Sequence, residues 1–338
     1  MDAPQGLTRY RRAVETYMQS LLRQGEPAVL YRMLRYHLGW EEPDGRPAAG
    51  GGKGLRASLC LLACEAAGAQ AQQAMPAAAA VELVHNFSLI HDDVQDRDRE
   101  RRHRPTVWSV WGDAQAINAG DAMLALARLA LLNLRHEGAS VETVLAAAEL
   151  LDQRTLEMVE GQTMDIAFEK EERVDLTAYL LMVEKKTGAL MDCALRLGAL
   201  AAGAPAVLVE GLGQCGRLLG TAFQVRDDIL GVWGDPAQTG KAAGADIRRR
   251  KKSLPIVYAL WRPEGEAIRR IYARADLTDE DVGSVPRLLE SCGAREYCEG
   301  VARERRDAAL AALDRLPLRA GPAQDLREAA VFLAERQY

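Results

Sequence analysis

Along almost the whole chain, apolar residues recur at spacings of three and four, Ala and Leu dominate, and β-branched residues rarely run together. A pattern of period 3.6 built from good helix formers commits a chain to amphipathic helices and leaves no convincing strand. The helical signal breaks at 42–54 (Pro43, Pro47, Gly50-Gly51-Gly52), 68–76, 102–105, 203–205, 231–255 and 317–322, where Gly and Pro cluster. None of these reads as a flexible linker, and no repeat of 20 to 50 residues is evident, so a solenoid is excluded. The expectation is one all-α domain spanning residues 1–338, large enough for a single sizeable core.

Charge narrows the function classes. Lys plus Arg number 43 against 48 Asp plus Glu, a net charge of -5, so no global field draws the chain to nucleic acid or anionic lipid. The longest weakly charged runs, near 123–134 and 197–209, are broken by Arg128 and Pro205 and are too short to span a bilayer. An integral membrane protein is therefore not expected. The start Met1-Asp2-Ala3-Pro4 lacks a basic stretch followed by an apolar core, which points to the cytoplasm. Six cysteines contain no C-x-x-C pair, and Cys60 and Cys64 share a helical face; they read as reduced and structural, ahead of zinc.

Chemistry concentrates in two acidic stripes. In the first, Val81, Val84, Phe87, Ile90 and Val94 mark a buried helix that ends in Asp92-Asp93-Val94-Gln95-Asp96. Asp92 and Asp96 stand at i,i+4 and face the same way, with His85 on that stripe three turns from Asp96. Like charges so placed repel unless cations neutralise them, and hard oxygen ligands suit Mg²⁺ shared with phosphate; the alternative is a solvated acidic helix end. A second stripe, Gln224, Asp227 and Asp228 at i, i+3 and i+4, stands on another apolar helix. Two such stripes facing inward have the donors to grip a diphosphate through several metal ions.

Basic groups complete the pattern. Gly51-Gly52-Lys53-Gly54-Leu55-Arg56 lies where a Gly-rich loop enters a helix, a place suited to phosphate. Arg101 and Arg102 sit in a basic run at 97–104, and Lys186-Thr187, Lys241 and Lys251-Lys252 add further cations. A charge run is usually a solvated face, but acids and bases interleaved around two Asp pairs are what a site for two diphosphates and several metal ions requires.

These motifs, in this order, resemble the trans-isoprenyl diphosphate synthases, the polyprenyl synthetase family. The resemblance is carried by Gly51-Gly52-Lys53-x-x-Arg56, His85-Asn86-x-Ser88-Leu89-Ile90-His91-Asp92-Asp93-x-x-Asp96 with Arg101-Arg102, Gly161-Gln162-x-x-Asp165, Lys186-Thr187-Gly188, Phe223-Gln224-x-x-Asp227-Asp228, and Gly240-Lys241 leading to Asp246 and Lys251. It implies a bundle of antiparallel helices around a deep central cavity, usually in a homodimer. It also implies Mg²⁺-assisted ionisation of an allylic diphosphate, attack on the carbocation by the double bond of isopentenyl diphosphate, and loss of a proton.

By match to the motifs, Asp92, Asp96 and Asp227 are the expected direct ligands of about three Mg²⁺ ions, with Asp93 and Asp228 supporting them. Arg101, Lys186 and Lys241 are expected on the allylic diphosphate, with Lys251 closing from its loop. Lys53, Arg56, His85 and Arg102 are expected on isopentenyl diphosphate, and Thr187 and Gln224 beside the reacting carbons. Two positions depart from the family's usual pattern: Gly231 stands where a third Asp is frequent, and His103-Arg104-Pro105 replaces Gly-Lys-Pro after the arginines. A class I terpene cyclase would not need Lys53, Arg56 and Arg102, and a non-catalytic synthase subunit would not keep both Asp pairs intact.

Product length is read from Phe87 and Ser88. Phe87 precedes Asp92 by five residues, about 7.5 Å along a helix axis, and in the family a bulky residue there restricts products to short chains. The expectation is geranylgeranyl (C20) diphosphate, with farnesyl (C15) diphosphate as the alternative; if Phe87 is ordinary core, side chains on the helix at 117–134 set the length instead.

Overall fold

The computed structural model describes residues 3–22, 25–48, 50–234, 244–274 and 276–336. In chain order the helices are α1 (Gln5–Thr8), α2 (Arg11–Leu21), α3 (Ala28–His37), α4 (Leu55–Ala66), α5 (Met75–Gln95), α6 (Val107–Trp111), α7 (Asp113–Leu132), α8 (Val141–Glu169) and α9 (Leu176–Val183). They continue as α10 (Ala189–Ala201), α11 (Ala206–Trp233), α12 (Ala245–Arg248), α13 (Leu254–Leu260), α14 (Glu266–Tyr272), α15 (Asp279–Ser291), α16 (Ala294–Asp314) and α17 (Ala320–Glu335). The architecture is all-α, as the periodicity implies.

Local chemistry sets the boundaries. Ser140 caps α8 by accepting the Thr143 N–H at 3.1 Å, and Asp175 caps α9 by accepting from Thr177 and Ala178. Each satisfies backbone donors that a helix start leaves unpaired. Pro76 enters at the first turn of α5, where its missing N–H costs nothing. The following Ala77–Ala80 are fully buried, so this helix begins apolar on every side, before Glu82, His85 and Asn86 bring polar groups into it ahead of its acidic end.

α5 lies at the centre, packed most extensively against α7 and also against α4, α10 and α2. The main core draws on these helices, with Leu59, Leu61, Leu83, Ile90, Met123 and Leu190 buried in it. α11 passes from that core, through Leu212 and Leu219, into a second apolar cluster around Val225, Ile229, Tyr179 and Cys298. All six cysteines are unpaired and buried, as expected.

Three details correct the sequence reading. A two-residue antiparallel hairpin does form, β1 (Glu100–Arg101) against β2 (Arg104–Pro105), within the stretch read as a plain loop. Its turn residues, Arg102 and His103, have φ of 52° and 61°, the left-handed pair that a two-residue hairpin turn demands and that Gly or Asn normally supplies. Side chains hold it in place: Arg104 donates to the Tyr36 and Glu41 carbonyls, and Thr106 Oγ1 to the Asp98 carbonyl. Second, α11 continues through Gly231 to Trp233 instead of breaking there. Third, the stretch Asp113–Glu137 is by length and composition apolar enough to cross a membrane, although the shorter run at 123–134 is not. In the fold it packs along α5 through Ala116, Ala119, Met123, Ala127 and Ala130.

Candidate active site

The first acidic stripe is at the C-terminal end of α5, whose last turn carries Asp92 and Asp93, with Asp96 as its cap. Burial raises the Asp92 carboxyl above its ordinary value and the Asp96 charge adds to it, while Lys186, Arg101 and Lys251 pull the other way. Asp93 is buried and pushed up to about 6, mainly by burial, although it accepts a hydrogen bond from Arg101 Nε at 2.7 Å. Its other oxygen, Oδ2, is buried with no protein partner. Arg101 is thus aimed by Asp93 as well as by the hairpin that carries it.

Lys186 and Thr187 lie on a single π-helical turn, Glu184–Gly188, between α9 and α10. Such a turn inserts an extra residue and rotates the side chains around it, a device common at functional sites. Two glycines let neighbouring helices close on it. A Cβ at Gly161 of α8 would come within 2.3 Å of the Lys186 backbone nitrogen, and one at Gly220 of α11 within 2.6 Å of Gly188 Cα. Lys186 Nζ therefore reaches Asp165 Oδ2 on α8 at 2.6 Å.

The second stripe faces the first across this turn. Gln224 on α11 accepts from Thr187 Oγ1 at 2.9 Å and donates to Asp228 Oδ1 at 3.2 Å. The buried Asp228 also accepts from the Tyr179 hydroxyl and from the Leu254 N–H; burial nonetheless raises it to about 6. Lys251 stands among Asp165, Asp246, Asp228 and Asp96, whose charges outweigh burial and hold its ammonium above its ordinary value. Asp227 pairs with Arg336, just beyond α17, whose guanidinium also lies 4.1 Å from the centre of the Phe223 ring.

A second cation cluster gathers beside Asp227. Lys53 lies near Arg336, Asp227 and Arg102, and burial with the two arginines lowers its ammonium below the ordinary value. Arg56 and Arg102, also lowered by burial, share the buried Glu82 as a nearby counter-charge, and Arg56 Nε has no protein partner. His85 is held neutral by burial and by Arg56, Arg102 and Arg101. Lys53, Arg56, Arg102 and Arg336 against Glu82 and Asp227 leave a net positive nest, the electrostatic complement of a diphosphate.

Every candidate within the described residues falls in or beside these clusters. Lys241 lies outside the described residues. Phe87 and Ser88 flank the first stripe: Ser88 Oγ donates to the His85 carbonyl at 2.8 Å, and the Phe87 ring meets His91 edge-on at 5.0 Å. At Gly231 a Cβ would lie 2.8 Å from the side-chain oxygen Asp246 Oδ2. A carboxylate does stand beside this position, but it comes from α12.

The chain as a whole is similar to known proteins. Residues 46–289 match the polyprenyl synthetase family. The chain belongs to that family. A (2E,6E)-farnesyl diphosphate synthase of Mycobacterium tuberculosis is 42% identical over 90% of this chain and 86% of its own. A geranylgeranyl diphosphate synthase of the same organism is 43% identical over 84% and 81%. The crystal structure of a polyprenyl synthetase from Streptomyces coelicolor superposes with a TM-score of 0.91, at 37% identity, over 99% of this chain and 100% of that one. This polyprenyl synthetase is accordingly an enzyme, a short-chain trans-prenyltransferase acting on prenyl diphosphates, in a family that generally depends on a divalent metal.

The donors fit such a metal. Asp92 and Asp96 offer hard carboxylate oxygens whose mutual repulsion a cation relieves. Among the described residues no three carboxylate, imidazole or thiol groups converge into a protein-only metal site.

Several partners escaped the sequence reading. Asp165 was visible in its motif but had no role until Lys186 met it. Glu82, three residues before His85 on the same helix, carried a usable signal as an acid on an otherwise apolar helix. Tyr179 and Arg336 carried none, being ordinary residues brought in by packing.

Proposed function

We propose that the enzyme condenses isopentenyl diphosphate with an allylic diphosphate to give geranylgeranyl (C20) diphosphate, acting in the cytoplasm as one domain spanning the chain. The observation that carries this reading is a surplus of cations in two nests that adjoin at Arg101-Arg102: Arg101, Lys186 and Lys251 near Asp92, and Lys53 and Arg56 near Asp227, with Arg102 beside Lys53 and Glu82. One diphosphate needs one nest, so two nests favour condensation over cyclisation.

Asp92, Asp96 and Asp227 would hold Mg²⁺, about three ions, with Asp93 and Asp228 orienting their neighbours. The chemistry that hard cations supply there is neutralisation of the charge growing on the departing diphosphate. Lys186, Arg101, Lys241 and Lys251 hold the allylic diphosphate as its C1–O bond breaks and the electron pair leaves with the oxygen. Lys53, Arg56, His85 and Arg102 hold isopentenyl diphosphate so that its double bond attacks C1, after which a proton leaves. Thr187 and Gln224, locked to each other, flank the reacting carbons and keep water away from the cation.

Phe87 supports a short product by blocking the tail beside α5. A C15 product is the second reading, favoured by the 42% identical farnesyl diphosphate synthase. The deciding experiment is incubation with isopentenyl diphosphate, each allylic starter and Mg²⁺, with chain lengths read after dephosphorylation. C20 as the main product supports the proposal and C15 replaces it; Phe87→Ala should lengthen the product and Ser88→Phe should shorten it. A cyclic hydrocarbon formed without isopentenyl diphosphate would overturn the condensation reading.

A homodimer is also proposed, on the exposed apolar residues that run along α7 (Ile117, Leu129, Leu132) and α8 (Val141, Leu145, Leu156). Large apolar side chains exposed in number along two neighbouring helices are what an interface would cover. Sedimentation at micromolar concentration should give twice the chain mass; a monomer there would refute it.

A further inference from the structure

The motif residue His91 has no place in the chemistry above, yet the packing gives it one. Its ring sits between two helices. On one side it meets Phe87, one turn back on α5, edge to face at 5.0 Å and 71°. On the other it faces α7, where Nε2 donates to the Ile117 carbonyl at 3.2 Å and approaches Asp121 at 3.7 Å. The fit is tight because residue 120 is glycine: a Cβ there would stand 2.1 Å from His91 Nε2 and 2.3 Å from Cδ2. Phe87 itself is almost wholly buried, so its ring has few positions open to it.

We propose that His91 is a product-length-determining residue: wedged between the Phe87 ring and the Gly120 stretch of α7, it fixes where that ring stands and hence how far the growing chain can extend. The proposal rests on the reading of Phe87 as the obstruction to the tail. A bulky side chain free to change rotamer would give a soft limit and a spread of products. One held by a second ring, itself tied to a neighbouring helix backbone, gives a sharp limit. His91 acts through Phe87 and is a positioning residue.

Four variants assayed for product chain length test this, with geranyl or farnesyl diphosphate as starter. His91→Ala releases Phe87, and the ratio of the next longer product to the main one should rise about two- to tenfold, the worth of one edge-to-face aromatic contact. His91→Phe keeps a ring in the wedge and should restore the parental ratio. Gly120→Ala pushes the imidazole off α7 towards Phe87 and should shorten the product. It acts from another helix, so it decides the question even if His91→Ala disturbs the adjacent Asp92. Phe87→Ala is the control on the underlying reading. Lengthening in Phe87→Ala, with parental distributions in both His91→Ala and Gly120→Ala, would overturn the role of His91 and leave Phe87 as the obstruction. A parental distribution in Phe87→Ala would remove the obstruction and the wedge with it.

Discussion

Gly161→Ala isolates the role of close helix packing in placing Lys186. The added Cβ would lie 2.3 Å from the Lys186 backbone nitrogen, 2.7 Å from its Cα and 2.9 Å from the Lys185 carbonyl carbon. Ordinary contact begins near 3.4 Å, so α8 and the π-helical turn must part by about 1.1 Å. The obstacle is backbone, which cannot swing aside as a side chain can. Overpacking of this kind costs about 1–3 kcal/mol. A displacement of about 1 Å in a catalytic constellation can cost about 100-fold in rate. The expected outcome is a fall in kcat of about 100-fold, with the loss of stability read from urea unfolding and circular dichroism still fully helical. Gly300→Ala in α16 is the matched control, since a Cβ there meets nothing within 4 Å. It should stabilise by about 0.5–1 kcal/mol and leave kcat unchanged. Parental kcat and stability in Gly161→Ala would show that the turn is not held by this contact.

Elongation should stop on chelation, and Asp92→Ala and Asp227→Ala should each lower turnover by orders of magnitude with helicity retained; full activity in either removes it from the metal site. Lys53→Ala or Arg56→Ala should raise the KM for isopentenyl diphosphate more than for the allylic partner, whereas Lys186→Ala should act mainly on kcat; equal effects on both substrates would merge the two nests. The six buried thiols should resist a thiol reagent in the native enzyme and all react in denaturant, with fast native labelling of Cys60 or Cys193 contradicting the packing. His37 is held down to about 3, chiefly by burial and then by Arg101 and Arg102. The unfolded chain therefore binds a proton that the folded one refuses, and this contribution to stability, full above pH 6.5, is lost as pH falls toward 3. Relative to His37→Gln, the parent should lose about 1.4 kcal/mol per unit below pH 6.5; parallel stability profiles would refute it.

What the sequence disclosed follows from what repeats along it. Helix class was legible because period-3.6 patterning is local and redundant, and the acidic stripes because i,i+3 and i,i+4 spacing fixes which side chains share a face. The hairpin at Glu100–Pro105 was not, since four paired residues carry no alternation and Arg102-His103 lacks the usual turn chemistry. Arg336 and Tyr179 were illegible for a different reason: each meets its Asp across 109 or 49 positions of chain, a distance no motif encodes. Gly231 departs from the family's usual Asp, and the pattern alone does not say which neighbour stands beside it. Packing places the Asp246 carboxylate beside this position, while Gly161 and Gly120 leave room for the Lys186 backbone and the His91 ring. In this fold the acidic motifs name the chemistry, while glycines on neighbouring helices decide where its side chains stand.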